Sequence, residues 1–140
     1  MGQQQLLLLV LGIVIVGLAV VVGIQAFGEN QKKANADAMI NDGVRIASDI
    51  QAWALKPQAF GGPSTSGVFT TVSFEAIGYT ATNGDYTNLD GTYNLGTPTA
   101  GCVLISGNNV TPANDVYVKV TGTGPSDIAT SVNPATAPTC

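Results

Sequence analysis

Residues 6–24 read LLLLVLGIVIVGLAVVVGI, and the residues before them, Met1-Gly2-Gln3-Gln4-Gln5, carry no charged side chain. At about 1.5 Å per residue, the roughly 19 apolar residues span about 29 Å as a helix, which matches the hydrocarbon thickness of a bilayer. The stretch reads as a helix that can sit in lipid. No Lys or Arg precedes it, so it lacks the basic n-region of a secretory signal and the charge bias that orients an anchor. Two readings stay open: a basic leader has been removed, or the run is destined for something other than lipid.

Nothing breaks the helix after Ile24. Gln25-Ala26-Phe27-Gly28 contains no proline and no cluster of turn residues, so the helix passes through at the modest cost of Gly28. From Glu29 to Leu55 the pattern becomes one-sided. At 100° per residue, Ala36, Met39, Ile40, Gly43, Ile46, Ala47, Ile50, Trp53 and Ala54 share one arc, and Asp37, Asn41, Asp42, Arg45, Ser48 and Asp49 lie opposite. The first face is expected to lie on a core, with Ile40, Ile46, Ile50 and Trp53 as its main packing residues. On the other face Arg45 can pair with Asp42 or Asp49 as part of a solvated helix surface. Pro57 ends the helix, because the residue before proline is pushed out of the helical region. An element from about residue 2 to 55 would be near 80 Å long, more than a small domain can bury.

Beyond Gly61-Gly62-Pro63 the composition changes to β-branched and aromatic residues punctuated by glycine. Strands are predicted at Val68–Tyr79, with irregular alternation, and around Tyr86–Leu95, Gly101–Ser106 and Val116–Thr121. Asn83-Gly84, Asp90-Gly91 and Ser106-Gly107-Asn108-Asn109 are read as the turns between them. Val116, Val118 and Val120 share one face, with Tyr117 and Lys119 on the other. The expected fold is α+β: a long N-terminal helix, apolar in its first half and amphipathic in its second, packed on a small antiparallel sheet. Its parts are an apolar helix over 1–28, an amphipathic helix over 29–56 and a β-rich head over 57–140.

Composition narrows the function. Charged residues make up 10% of the chain, the net charge is -4 and histidine is absent. That leaves no cationic footprint for nucleic acid. No acidic pair stands at motif spacing and no nucleophile has an identifiable base, so an enzyme is not expected, nor a cofactor or metal. Cys102 and Cys140 are too distant for a CxxC redox motif, and without histidine there is no ordinary zinc set. A disulfide is the simplest reading, two unpaired thiols the alternative; a bridge implies an oxidising compartment.

Three smaller features have a plain reading beside a sharper one. The carboxylates and amides of Asn83–Gly91 suggest calcium but lack the spacing of a known loop, so a hairpin turn is preferred. Asn109-Val110-Thr111 fits the N-glycosylation sequon, with Pro112 following, and an ordinary loop is preferred. Phe27 and Trp53 are read as packing residues rather than an electron path.

An apolar helix at the first residues, continuing as an amphipathic helix into a β-rich head with a C-terminal cysteine, resembles the type IV pilin superfamily. The resemblance covers the whole chain in architecture and only the N-terminus in motif. It implies cleavage of a leader by a prepilin peptidase, a membrane-held monomer and growth into a helical filament by pilus assembly machinery. It also implies a disulfide fastening the C-terminus. The family usually carries a glutamate at the place of Gln5, which here keeps hydrogen-bonding capacity without charge. Met1 stands where bacterial pilins often carry an N-methylated phenylalanine. A mature start at Met1 or at Gln3 is open. Glutamine-rich starts also occur in archaeal pilin-like proteins.

In this reading Met1, Gln5, Leu6, Leu9, Ile13, Val16, Val20, Ile24 and Phe27 form the assembly surface, moving from lipid to neighbouring helices. Gly12, Gly17 and Gly23, with Val20-Val21-Val22, lower helix propensity where many pilins unwind. They also allow close helix packing. The expected function is a structural subunit of an extracellular filament used in adhesion, motility or surface attachment, with the inner membrane as its station before assembly. Its main partner would be itself. The alternatives are a pseudopilin of a secretion or competence system, and a single-span anchored surface protein that does not polymerise.

Overall fold

A computed structural model describes residues 2–140, and Met1 lies outside the described residues. Helix α1 runs from Gly2 to Ala54, followed by a 3-10 turn at Gln58–Phe60 and five strands. These are β1 (Asp85–Thr87), β2 (Thr92–Leu95), β3 (Val103–Val110), β4 (Ala113–Val120) and β5 (Ile128–Val132). The protein is α+β, with its long N-terminal helix packed on a small antiparallel sheet. The strands pair in sequence order, β1-β2-β3-β4-β5. The chain divides into two compact units, one ending at Lys33 and the other comprising Ala34–Cys140.

In the first unit, the helix stays regular through Gly12, Gly17, Gly23 and Gly28, with nothing beside any of these glycines. The absence of proline explains the continuity, since one glycine costs only about 1 kcal/mol of helix propensity relative to alanine. The helix is long and apolar enough to cross a membrane, and none of its apolar window is buried.

In the second unit, α1 presents Ala36, Met39, Gly43, Ile46, Ala47, Ile50, Trp53 and Ala54 inward. This is the apolar arc expected from helical periodicity, and Ile40 is partly buried at its edge. The facing sheet supplies Val103 and Ile105 from β3 and Val116, Val118 and Val120 from β4, at alternate positions as the pleat requires. Gly43 lets the helix approach the sheet closely. A Cβ there would lie 2.6 Å from Cγ2 of Val118.

Four strand expectations need correction. Val68–Tyr79 is not a strand but a series of turns that buries Phe69, Val72 and Phe74. Their spacing of three and then two residues follows no strand period. The amide of Val72 donates to the Phe69 carbonyl (3.1 Å) and that of Tyr79 to the Phe74 carbonyl (2.9 Å). Gly78, at φ +89°, permits the reversal between them.

The predicted single strand over 86–95 is a hairpin, β1 and β2. Asn88 breaks it, because its side-chain oxygen accepts from the amides of Asp90 (2.9 Å) and Gly91 (3.1 Å), holding the chain in a turn. Conversely, Ser106–Asn109 is strand rather than turn, and β3 reverses after Val110. Gly107 can sit mid-strand because Tyr93, opposite it, lays its ring over the missing side chain, within 3 Å of where a Cβ would be. Strand β4 begins at Ala113, three residues ahead of its predicted start, and β5 is an addition to the predicted set. The Asn83-Gly84 turn is present, with both residues at positive φ (56° and 88°) and reciprocal bonds between Thr82 and Asp85.

Candidate functional site

The first candidate surface is the apolar helix. Leu6, Leu9, Ile13, Val16, Val20, Ile24 and Phe27 are each more than half exposed, from 54% at Val20 to 79% at Phe27. Gln5 is exposed as well. At 100° per residue, these positions and Gln5 lie on an arc about 100° wide. The other sides are nearly as apolar: Leu8, Leu11, Leu18 and Val22 are exposed too. No charged side chain occurs from Gly2 to Gly28. A contiguous apolar surface of this extent must be covered by lipid or by other protein.

The second candidate is the seam by which the helix holds the head. Asp42 and Asp49 do not face solvent as expected. The Oδ2 of Asp42 accepts from Asn88 Nδ2 (2.6 Å) and from the Tyr93 hydroxyl (3.1 Å), and Asp49 Oδ2 accepts from the Tyr79 hydroxyl (2.6 Å). The head reaches further around the helix than the core stripe alone, so these acids bond to it, while Asp37, Asn41, Arg45 and Ser48 remain exposed.

Other polar groups complete the seam. Asn35 Nδ2 donates to the Asp90 carbonyl (3.1 Å), and Asn114 Nδ2 donates to Asn35 Oδ1 (3.0 Å). Gln51 Nε2 spans the β4–β5 loop, donating to the carbonyls of Gly122 (2.7 Å) and Gly124 (2.9 Å). Trp53 Nε1 donates to the Gly61 carbonyl (2.9 Å). Sequence reasoning missed all of these. One signal existed: Asn114 stands at an inward position with Val116, Val118 and Val120, and a buried amide needs a partner.

Rings join the seam to the sheet. Phe74, Tyr79, Tyr86 and Tyr93 form a run of aromatic contacts with centroids 4.8–6.2 Å apart. Burial raises the Tyr79 phenol to about 12, helped by its bond to Asp49. Burial also raises Tyr93, with the charge of Asp42 adding to it. Both phenols are favoured neutral in the fold, so their stabilisation is full below the ordinary value near 10 and is lost as pH rises through the folded-state values. The denaturation midpoint of the full-length chain in detergent is expected to fall between pH 9 and about pH 12. A Tyr79→Phe, Tyr93→Phe variant should show a smaller fall over the same range; an equal fall would place the alkaline sensitivity elsewhere.

Cys102 and Cys140 are bonded, with Cα atoms 5.7 Å apart across 38 residues. The bridge ties the last residue to the start of β3, and Lys119 Nζ donates to the Thr139 carbonyl (2.8 Å) beside it. Closing a loop of this length contributes up to about 4 kcal/mol. Cys102→Ala with Cys140→Ala is therefore expected to lower unfolding stability by about 2–4 kcal/mol and to expose residues 133–140 to protease. A chemical-denaturation curve unchanged from the parent would remove that role.

The remaining sites have other partners. Asn109 Nδ2 donates to the Asp90 carbonyl (2.7 Å), and its Oδ1 accepts from the Thr111 amide (3.1 Å). Residues 83–91 form β1 and the two turns flanking it, and no group of metal-ligating side chains occurs among the described residues. Trp53 is core, whereas Phe27 belongs to the exposed apolar helix. Comparison with protein-family models, with curated proteins and with solved structures returns no match.

Proposed function

We propose that this chain is the structural subunit of an extracellular, pilus-like filament. The observation that carries the reading is the exposed, uncharged apolar helix joined to a disulfide-tied head. A monomer rests with residues 6–24 in the inner membrane after a prepilin peptidase has cut its leader. On assembly the same surface exchanges lipid for the helices of other copies. Side-chain packing replaces lipid contact, and no charge between Leu6 and Phe27 has to be buried. Gly12, Gly17 and Gly23 let neighbouring helices come close. The contact does not close on itself, so addition continues as a helix of subunits. The polar, weakly charged heads form the outer wall, and the machinery that assembles the filament is its other partner.

Electron microscopy of filaments sheared from producing cells, with peptide mass spectrometry of their subunit, tests this. Filaments built from this chain, with an N-terminal peptide beginning at Met1 or Gln3, are expected. Retention of the chain in the membrane fraction, with no filament containing it, would leave an anchored protein or a pseudopilin as the better account.

A further inference from the structure

The only Asn-X-Ser/Thr triplet in the chain, Asn109-Val110-Thr111, lies at the β3–β4 reversal, where Asn109 pairs with Asn114 and Val110 with Ala113. Asn109 is half-buried, whereas Val110 and Thr111 are exposed. The Asn109 Oδ1 accepts from the Thr111 amide (3.1 Å), which folds the triplet into an Asx turn. The Asn109 Nδ2 donates to the Asp90 carbonyl (2.7 Å) of the neighbouring β1–β2 turn. A carboxamide nitrogen carries two hydrogens, so replacing one by a sugar carbon leaves the other for the Asp90 carbonyl.

Asn109 is also a wall of a cleft of about 220 Å³ between these two turns, with Thr87, Leu89, Thr92, Asn108 and Val110 among its other walls. No charged side chain lines it. Its polar groups are neutral amides and hydroxyls, the Thr87 and Thr92 hydroxyls lying 3.2 Å apart. Leu89 (102% exposed) and Val110 (90%) leave their aliphatic surfaces in water. A neutral sugar matches this lining, because its hydroxyls bond to amides and hydroxyls while its C–H face packs on aliphatic carbon. The cleft is smaller than the roughly 300–1,000 Å³ of pockets that hold free small molecules, which favours a group tethered at its wall over one captured from solution.

We propose that Asn109 is N-glycosylated and that its first sugar lies in the cleft between Leu89 and Val110. The donor is an oligosaccharide carried on a lipid phosphate, presented on the side of the membrane that holds the head. The Asn109 Nδ2 forms a bond to the sugar C1, the bond from C1 to the phosphate oxygen breaks, the lipid phosphate leaves and one Nδ2 proton is released. The inference requires the head to lie in the oxidising compartment that its disulfide implies, and it does not require a filament.

Peptide mass spectrometry of the full-length chain purified from its producing cells tests the modification. The peptide containing Asn109 should carry an added mass made of sugar residues. That mass should disappear in Asn109→Gln and in Thr111→Val and persist in Thr111→Ser, which keeps the hydroxyl. The seat of the sugar is tested with Leu89→Cys, the closed Cys102–Cys140 bridge being verified by mass. A water-soluble maleimide should label this cysteine several-fold more slowly in the glycosylated chain than in the same chain carrying Thr111→Val, which keeps the Asn109 carboxamide.

An unmodified Asn109 peptide, or a sugar mass that persists in Asn109→Gln, would overturn the proposal. Equal labelling rates would overturn the seating of the sugar against Leu89. Filaments built from unmodified chain would overturn the glycan and leave the filament reading standing, whereas glycosylated chain confined to the membrane fraction would do the reverse.

Discussion

Val16→Asp is expected to abolish filaments while leaving the head folded. Val16 is 62% exposed and lies mid-way along the uncharged stretch. An aspartate at the centre of a membrane-spanning helix costs about 2.5–3.5 kcal/mol on insertion scales. In the proposed filament the cost recurs in every subunit, because each copy would bury its own carboxylate among apolar helices with no cation between Gly2 and Gly28 to pair with it. Residue 16 belongs to a different compact unit from Ala34–Cys140. The intact disulfide and the tyrosine environment should therefore be unchanged in detergent. The measurements are filament yield by electron microscopy and the near-ultraviolet circular dichroism of the solubilised chain. Val16→Leu, which keeps the surface apolar, should assemble like the parent. Normal filaments from the aspartate variant would show that residue 16 is not buried on assembly, and would count against an apolar helical filament centre.

The features legible in the amino-acid sequence share one physical property: their signal is local. Hydrophobic periodicity marks the inward face of α1, and the residue before Pro57 marks its end, so the predicted span of about 2 to 55 agrees with the observed Gly2–Ala54. Asn83-Gly84 declares its own turn, since both residues tolerate positive φ. The valines of β4 alternate as a half-buried strand should.

What stayed hidden depends on partners distant in sequence. Gly107-Asn108-Asn109 has turn composition, yet it is strand because Tyr93 covers Gly107 and Asn109 holds the Asp90 carbonyl. Asp42 and Asp49 have the spacing of a solvated helix face, and only the folded head shows that Asn88, Tyr93 and Tyr79 reach them. Strand β5, Ile128–Val132, is an edge strand with little burial, so it carries no alternation to read. The same division holds for the candidate site. The apolar assembly surface announces itself along consecutive residues, whereas the seam of α1 with the head joins Asn35, Asp42, Asp49 and Gln51 to groups at Tyr79, Asn88, Asp90 and Gly122.

Trp53→Ala is expected to lower the stability of the head by about 3–5 kcal/mol, the range for removing a large buried aromatic. Trp53 is 4% exposed and belongs to the core cluster that joins α1 to β3, β4 and the turns around Phe69 and Phe74. Two losses combine. The cavity left by the ring would not collapse easily, because α1 is also held at Gln51 by the Gly122 and Gly124 carbonyls. The Gly61 carbonyl would lose its bond from Nε1, freeing the connection that leads out of the helix. Trp53→Phe separates the terms: it keeps most of the apolar volume, so its cost should be the smaller and should reflect chiefly the lost bond, about 0.5–1.5 kcal/mol, plus imperfect filling. Denaturation of full-length chain in detergent, followed by tyrosine fluorescence in both variants, gives the comparison. Equal costs would mean that the hydrogen bond to Gly61, not packing, is what Trp53 contributes; a cost below about 1 kcal/mol in the alanine variant would contradict its place in the core. Because α1 joins the head to the proposed filament centre, a loss near the upper value should also reduce filament yield at elevated temperature, as heads unfold before the apolar helices separate.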